Sequence, residues 1–264
     1  MTRDLERICP LCNSDYRTIK KFFENYTVVS CDKCGLLYVA DPDRATTSEK
    51  SVELSNARHT SVPSPERRHH YILNLVKMRF GDRAQILEIG AGYGPLGKLL
   101  QDRGYEYLGF EPSEVRAEVA TDEGINIINK IHDPCYVNDK YDVIVLDNVI
   151  EHVRHPKEVF NNAKSNLKRG GIIITIVPSR YDLRRLHPKW NDKHFWIPDA
   201  HINFFRPSDL ERLYNSTGFK MRPFPLKAFG CSAKKDFLFS IKALVEKSKW
   251  YPGSLYTFGK RIHF

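Results

Sequence analysis

The chain has 264 residues, 41% hydrophobic and 28% charged, the profile of a globular protein with room for one substantial domain and a small appendage; collagen-like, disordered and purely disulfide-stapled classes are excluded. Its 41 Lys and Arg against 32 Asp and Glu leave +9, and residues 219–264, with ten basic and two acidic side chains, carry +8 of it. No run reaches the roughly 18 apolar residues of a spanning helix and the N-terminal MTRDLERICP lacks a signal peptide's apolar stretch, so a cytoplasmic location is expected.

Four of the six cysteines form two tight pairs, Cys9-Pro-Leu-Cys12 and Cys31-Asp-Lys-Cys34, eighteen residues apart. Each C-x-x-C places two thiolates on one turn, and two such knuckles complete a tetrahedral Zn2+ shell. The aromatic and β-branched stretch between them suits short strands, so residues 1–40 are predicted to be a zinc-ribbon module with a structural ion. Cys135 and Cys231 stand alone and read as packed thiols. Residues 41–63 are polar and aperiodic, a linker or flap.

The third predicted unit is residues 64–264. Ser64-Pro65-Glu66 has the composition of a helix start, with Ser64 as N-cap, and RRHHYILNLVKMRF follows at helical spacing up to Gly81. His69 and His70 are expected on its surface. From residue 85, the runs QILEI, YEYLGF, INII, YDVIVL and GIIITIV alternate with helix-like pieces such as PLGKLLQDRG and HPKEVFNNAKSNLKRG. Such alternation calls for a parallel sheet covered on both faces by helices.

Glu88-Ile-Gly90-Ala91-Gly92-Tyr-Gly94 follows the first of these strands and opens a helix, where glycines let the backbone turn sharply and approach a ligand. Gly92-Tyr-Gly94-Pro-Leu-Gly97 also matches dinucleotide spacing. Glu88 argues against that use, because a carboxylate at a strand end under a glycine loop needs a partner, which a cationic ligand provides. The second strand ends in Glu111, suited to accept from both ribose hydroxyls.

ILEIGAGYG, GFEPS, YDVIVLDNVIEHVRHP and LKRGGIIITIVPS, in that order over residues 85–179, resemble the successive motifs of class I S-adenosylmethionine-dependent methyltransferases. The cysteine segment, with CGLLYVADP after its second knuckle, resembles the N-terminal zinc-binding segment of bacterial methyltransferases that modify sugars. The resemblance implies an α/β, doubly wound, mostly parallel seven-stranded Rossmann-like sheet with a small zinc ribbon. It implies S-adenosylmethionine lined by Glu88, Gly90, Ala91, Gly92 and Gly94, with Glu111 on the ribose and Asp133 near adenine. Asp147 and Asn148 would lie beside the methionine portion, the alternative being a helix cap for VIEHV.

Methyl transfer from a sulfonium is an in-line displacement, so the protein must align a nucleophile and, for a hydroxyl, remove its proton. Histidine is the natural base. His152 resembles the E-H pair common in this class, the alternative being a buried histidine that positions its loop; His155, His187 and His194 read as surface residues. His201, ahead of an aromatic pair and a helix running to Gly218, resembles the histidine that the sugar methyltransferases use as base. Ala200 stands where those relatives have a glutamate, and Asp199 is the substitute at hand.

Residues 180–206 form an insertion rich in Arg, Lys, Trp and Phe, either a lid that stacks on sugar rings and meets phosphates or a solvated loop with anchoring aromatics. Within the basic C-terminal segment 225–264, KKDFLFSIKALVEKSKW has helical periodicity, suited to peripheral contact with an anionic membrane or to packing on the sheet, and TFGKRIHF is expected to supply the final edge strand. The leading expectation is O-methylation of a sugar hydroxyl on a nucleotide-linked or lipid-linked glycan, with methylation of another small metabolite also open. The alternative is RNA methylation with ribbon and tail gripping nucleic acid; it is disfavoured because residues 9–34 hold four basic and three acidic side chains.

Overall fold

The computed structural model describes residues 7–23, 26–41, 60–182, 201–229 and 254–261. Most of the linker, the centre of the 180–206 insertion and the periodic basic stretch before residue 254 lie outside them.

The cysteine segment folds as three antiparallel strands, β1 (Arg17–Phe22), β2 (Thr27–Cys31) and β3 (Leu37–Val39). After the linker, α1 (Arg67–Phe80) leads into β4 (Gln85–Ile89), α2 (Pro95–Gln101), β5 (Glu106–Phe110), α3 (Glu114–Asp122) and β6 (Ile127–Ile128). Then come β7 (Tyr141–Asp147), α4 (Pro156–Ser165) and β8 (Leu167–Pro178), and beyond the insertion β9 (Asn203–Phe204), α5 (Pro207–Ser216), β10 (Phe219–Pro223) and β11 (Ser254–Arg261).

The large sheet has the order β10-β11-β8-β7-β4-β5-β6. Strands β6, β5, β4, β7 and β8 are mutually parallel; β11 is antiparallel to β8 and β10 to β11. The chain reverses direction across the sheet between β4 and β7, the switch point outside which ligands gather in open α/β sheets. One face packs α1 and α2 through Ile72, Leu75, Leu96 and Leu100 onto Ile86, Val143 and Ile174. The other packs α4 and α5 through Phe160, Leu210 and Leu213, and its apolar cluster runs without a break into Leu11, Val29, Leu36 and Tyr38 of the ribbon.

Local details depart from the expectations. The N-cap of α1 is Glu66, two residues after Ser64, because Glu66 and His69 close a reciprocal capping box in which the Glu66 N–H donates to His69 Nδ1 at 3.0 Å. That bond turns the His69 ring inward, 3% exposed, so it is not a surface residue. The piece HPKEVFNNAKSNLKRG is helical only to Ser165, since Leu167 already pairs with Tyr141 in the sheet. The edge strand is β10, and β11 lies inside it. VIEHV forms a turn, not a helix needing a cap, and Cys135 is exposed.

Strand β9 pairs with β3, so the small sheet runs β1-β2-β3-β9. Arg206 fastens this junction: its guanidinium donates to the Cys34 carbonyl at 2.8 Å and by two bonds to Asp209, which is 1% exposed. Gly35, at φ +78°, lets that guanidinium lie against the knuckle, since a Cβ there would sit 2.6 Å from it. Arg180 donates to the Gly35 carbonyl at 3.0 Å, and Arg7 reaches the Ile202 carbonyl and the Asn203 side chain.

Arg206→Ala leaves Asp209 buried with only the Arg206 backbone N–H as donor, and is expected to cost about 2 kcal/mol in calorimetric unfolding, with no rescue by Arg206→Lys, which lacks the two-pronged geometry. Gly97→Ala tests the packing of α2 on the sheet, because its Cβ would lie 2.5 Å from the Tyr107 ring. Helix propensity favours alanine by up to about 1 kcal/mol and overpacking costs about 1–3 kcal/mol. Urea titration should therefore show net loss of stability; a gain would mean that the ring moves freely.

Candidate active site

The glycine loop leaves β4 with Gly90, Gly92 and Gly94 at φ +78°, +57° and +79°, conformations that L side chains rarely adopt. A Cβ on Gly90 would lie 2.7 Å from Val149, and one on Gly94 2.8 Å from Ile125. The loop is thus pinned between the turn after β7 and the chain after α3, with Ala91 buried beneath it.

Three carboxylates converge on this loop from adjacent strand ends. Glu88, 3% exposed, accepts from the Tyr107 hydroxyl at 2.5 Å. Burial lifts its carboxyl to about 8, against the pull of Tyr107 in the other direction. Glu111 accepts from the Gly92 N–H at 2.8 Å and the Ser113 N–H at 2.9 Å, one on each oxygen. Asp147 accepts from Arg68 Nε at 2.7 Å and faces His69 Nε2 at 3.5 Å. Arg68 and His69 escaped sequence reasoning, which placed the α1 histidines on the surface; the signal was a cation and an imidazole one turn into a helix that precedes a parallel strand.

Asn148 sits at φ +53°, with its N–H on the Ile176 carbonyl and its amide on Asp147. Asp133 lies after β6 on an exposed loop and accepts from the Cys135 N–H at 2.8 Å, while the neighbouring His132 is buried edge-on against Phe110.

Beyond β7, His201 and His152 come together with ring centroids 4.9 Å apart, although 48 positions separate them in the sequence. Between them lies Glu151, 1% exposed. The ligand atoms of all three lie within 4.8 Å of one another. The juxtaposition is built by backbone bonds: the Ile202 and Asn203 N–H groups donate to the Glu151 carbonyl, and the Asn203 amide donates to the carbonyls of Ile150 and Val153. His201 is nearly buried, while His152 stands at the rim with 37% of its side chain exposed. Burial pushes the Glu151 carboxyl up to about 8. The IEH tripeptide was the signal for this cluster, but only its histidine was singled out in the sequence.

The four cysteine sulfurs also lie within 4.8 Å of one another. Cys9 and Cys34 are 3.5 Å apart and Cys12 and Cys31 3.4 Å, close to the sulfur spacing of a tetrahedral site with bonds of about 2.3 Å. The thiol of Cys9 hydrogen-bonds Cys34 and pulls the Cys34 thiol below its usual range. The donor set fits a closed four-sulfur site.

A family model described as a methyltransferase domain matches residues 64–223. An uncharacterized protein of Methanocaldococcus jannaschii is 31% identical over 136 residues, 51% of this chain, and the match spans 63% of that relative, a little under two thirds of its length. The ubiquinone biosynthesis O-methyltransferase of Rickettsia typhi is 24% identical over 59% of this chain and 68% of its own. Among solved structures, a plantazolicin methyltransferase in complex with a triazolic desmethylPZN analog and SAH superposes with a TM-score of 0.54 at 15% identity, covering 85% of this chain and 93% of that one. A SAM dependent methyltransferase from Archaeoglobus fulgidus gives 0.52 at 19% identity, over 74% of this chain and 95% of that one; both likenesses concern the fold. With a family match over more than half of the chain and a seven-stranded sheet of matching fold, this protein belongs to the S-adenosylmethionine-dependent methyltransferases.

Proposed function

We propose that the chain moves the methyl group of S-adenosylmethionine to a hydroxyl, foremost a sugar hydroxyl of a nucleotide-linked or lipid-linked glycan, with His201 taking the proton. The observation that carries this reading is the meeting of His201, His152 and Glu151 beyond the carboxyl end of β7, beside the glycine loop that Val149 touches. An in-line displacement needs the acceptor oxygen held on the far side of the methyl from sulfur and its proton taken up. His201 and His152 are imidazoles at the place where that oxygen would arrive, and Glu151 supplies the carboxylate that Ala200 does not. Glu111 would hold the ribose hydroxyls, and Glu88, Gly90, Ala91, Gly92 and Gly94 the methionine side; Asp147 and Asn148 would shape that side and Asp133 would border the adenine. The aromatic and cationic insertion leaves after β8 and returns at His201, which suits a sugar with a diphosphate handle.

Zn2+ in the Cys9, Cys12, Cys31 and Cys34 site would act as a structural staple, since four thiolates leave no open position for catalysis. The O-methyltransferase named among the relatives favours a second reading, the hydroxyl of another small metabolite, with the same cofactor site and base.

The deciding experiment is mass spectrometry of nucleotide sugars, lipid-linked glycan extracts and small phenols after incubation with the protein and S-adenosylmethionine. A gain of about 14 Da is expected, reduced by about 10²–10⁴-fold in His201→Ala while calorimetric cofactor binding persists; unchanged turnover in the variant would remove His201 from the role. A second outcome follows from Glu88. Its carboxyl, raised to about 8, is protonated in the free protein at pH 6 and ionises when the cationic cofactor approaches. Cofactor affinity should therefore rise from pH 6 to 9, by at most about tenfold per unit, and binding at pH 7 should release a proton. Calorimetry in two buffers of different ionisation heat reads the proton, and Glu88→Gln should abolish it.

A further inference from the structure

Glu151 presents a problem of physical chemistry that no side-chain donor among the described residues solves. Both of its carboxylate oxygens are buried, and neither has a hydrogen-bond partner among the described residues beyond the pull of its own backbone N–H. A carboxylate taken out of water without donors costs several kcal/mol unless a cation compensates it. The Arg68 guanidinium that neutralises Asp147 is committed there and to Glu66. Among the described residues, the basic nitrogen nearest to Glu151 is His152 Nε2, 3.8 Å from Oε1 and beyond hydrogen-bond reach. The carboxylate has not strayed into this position: its backbone is tied by hydrogen bonds to the segment that carries His201.

We infer that Glu151, His152 and His201 form a binding site for one divalent first-row cation. One carboxylate and two imidazoles are the donor set that suits Mn2+, Fe2+, Co2+ or Zn2+ in an open site, whereas four thiolates select Zn2+. Metal–ligand distances of about 2.1 Å place neighbouring donor atoms about 3–4 Å apart. The three donors, now within 4.8 Å of one another, reach that spacing by movements of about 1 Å, with His152 at the rim of the cluster. The remaining coordination positions are open to oxygen ligands. The inference rests on the reading above for placing the acceptor oxygen at this cluster. A hydroxyl bound to such an ion would ionise near neutral pH by giving its proton to solvent water; in the loaded protein His201 would hold the ion, and the ion would take over the part that the metal-free reading gives to the His201 imidazole.

The test is Mn2+ titrated into the full chain and followed by electron paramagnetic resonance, since this hard ion competes poorly for the cysteine site. Metal analysis of the isolated protein comes first, so that a resident second ion lost in Glu151→Gln counts as the same result. The expected outcome is one Mn2+ per chain with nitrogen couplings from imidazole, weakened at least about 100-fold in both Glu151→Gln and His201→Ala. Circular dichroism checks that both variants fold. Absent Mn2+ uptake without a resident ion, or uptake equal in parent and variants, overturns the site. Calorimetric binding of S-adenosylhomocysteine to the same samples separates the two ideas: if it binds and Mn2+ does not, the cation site falls and the methyltransferase site stands.

Discussion

The burial of carboxylates at the switch point of the sheet is the constraint on which the rest of the molecule depends. Glu88, Glu111 and Glu151 are each under 5% exposed, with Asp147 among them, at the end of or just beyond neighbouring strands. Four carboxyls so placed would repel one another as anions and lose hydration, so each needs its own means of neutralisation. Glu111 takes two backbone N–H groups, one from Gly92 at positive φ in the glycine loop and one from Ser113, two residues beyond Glu111 in the chain. Asp147 takes Arg68, which obliges α1 to begin over the site. Glu88 takes the Tyr107 hydroxyl and a raised proton affinity, and the ring that serves it leaves no space for a side chain at position 97. Glu151 takes no donor. The helix start, the glycine pattern and the tyrosine on β5 are thus consequences of one electrostatic problem.

Much of this was legible in the chain. Hydrophobic runs of five or six residues between helical pieces state a parallel sheet directly, since strands buried on both faces carry little alternation. The five parallel strands and the glycine loop accordingly stand where the motifs put them, whereas β11 lies one place inside the edge and β10, which no motif announced, takes its position. The paired cysteines announce their cluster because C-x-x-C spacing is a local geometric fact. What escaped is non-local. His69 looks like half of an exposed HH pair, and only its bond to the Glu66 N–H turns it inward. Strand β9 is two residues long, too short for any periodicity, and exists because β3 offers an unpaired edge. Glu151 was passed over beside its histidine, because a buried carboxylate without donors is visible only once its surroundings are known.

The ribbon and the methyltransferase domain share more than a linker. Their apolar residues form one cluster, and three arginines cross the junction, Arg7, Arg180 and Arg206, each giving hydrogen bonds to backbone carbonyls on the opposite side. Arg7 does this from a largely buried position that draws its own pKa down to about 10. Carbonyls are the economical target, since they accept a guanidinium's hydrogen bonds without a second buried charge.

This junction links the cysteine cluster to the segment that carries His201. The insertion leaves the large sheet at Pro178 and rejoins the described chain at His201, and a returning segment so placed needs an edge to hold it. The large sheet has none to offer there, because β8 is flanked on both sides, by β7 and β11. The ribbon supplies it: β3 pairs with Asn203 and Phe204, while the same Asn203 grips the turn that carries Glu151 and His152. One asparagine therefore belongs to both units, and His201, two residues before it, is placed by whichever geometry the cysteine knuckles impose on β3. On the role proposed for His201, a side chain that must meet a reacting atom within a few tenths of an ångström gains from such double anchoring, which gives the firm packing of the ribbon against the methyltransferase domain a physical use.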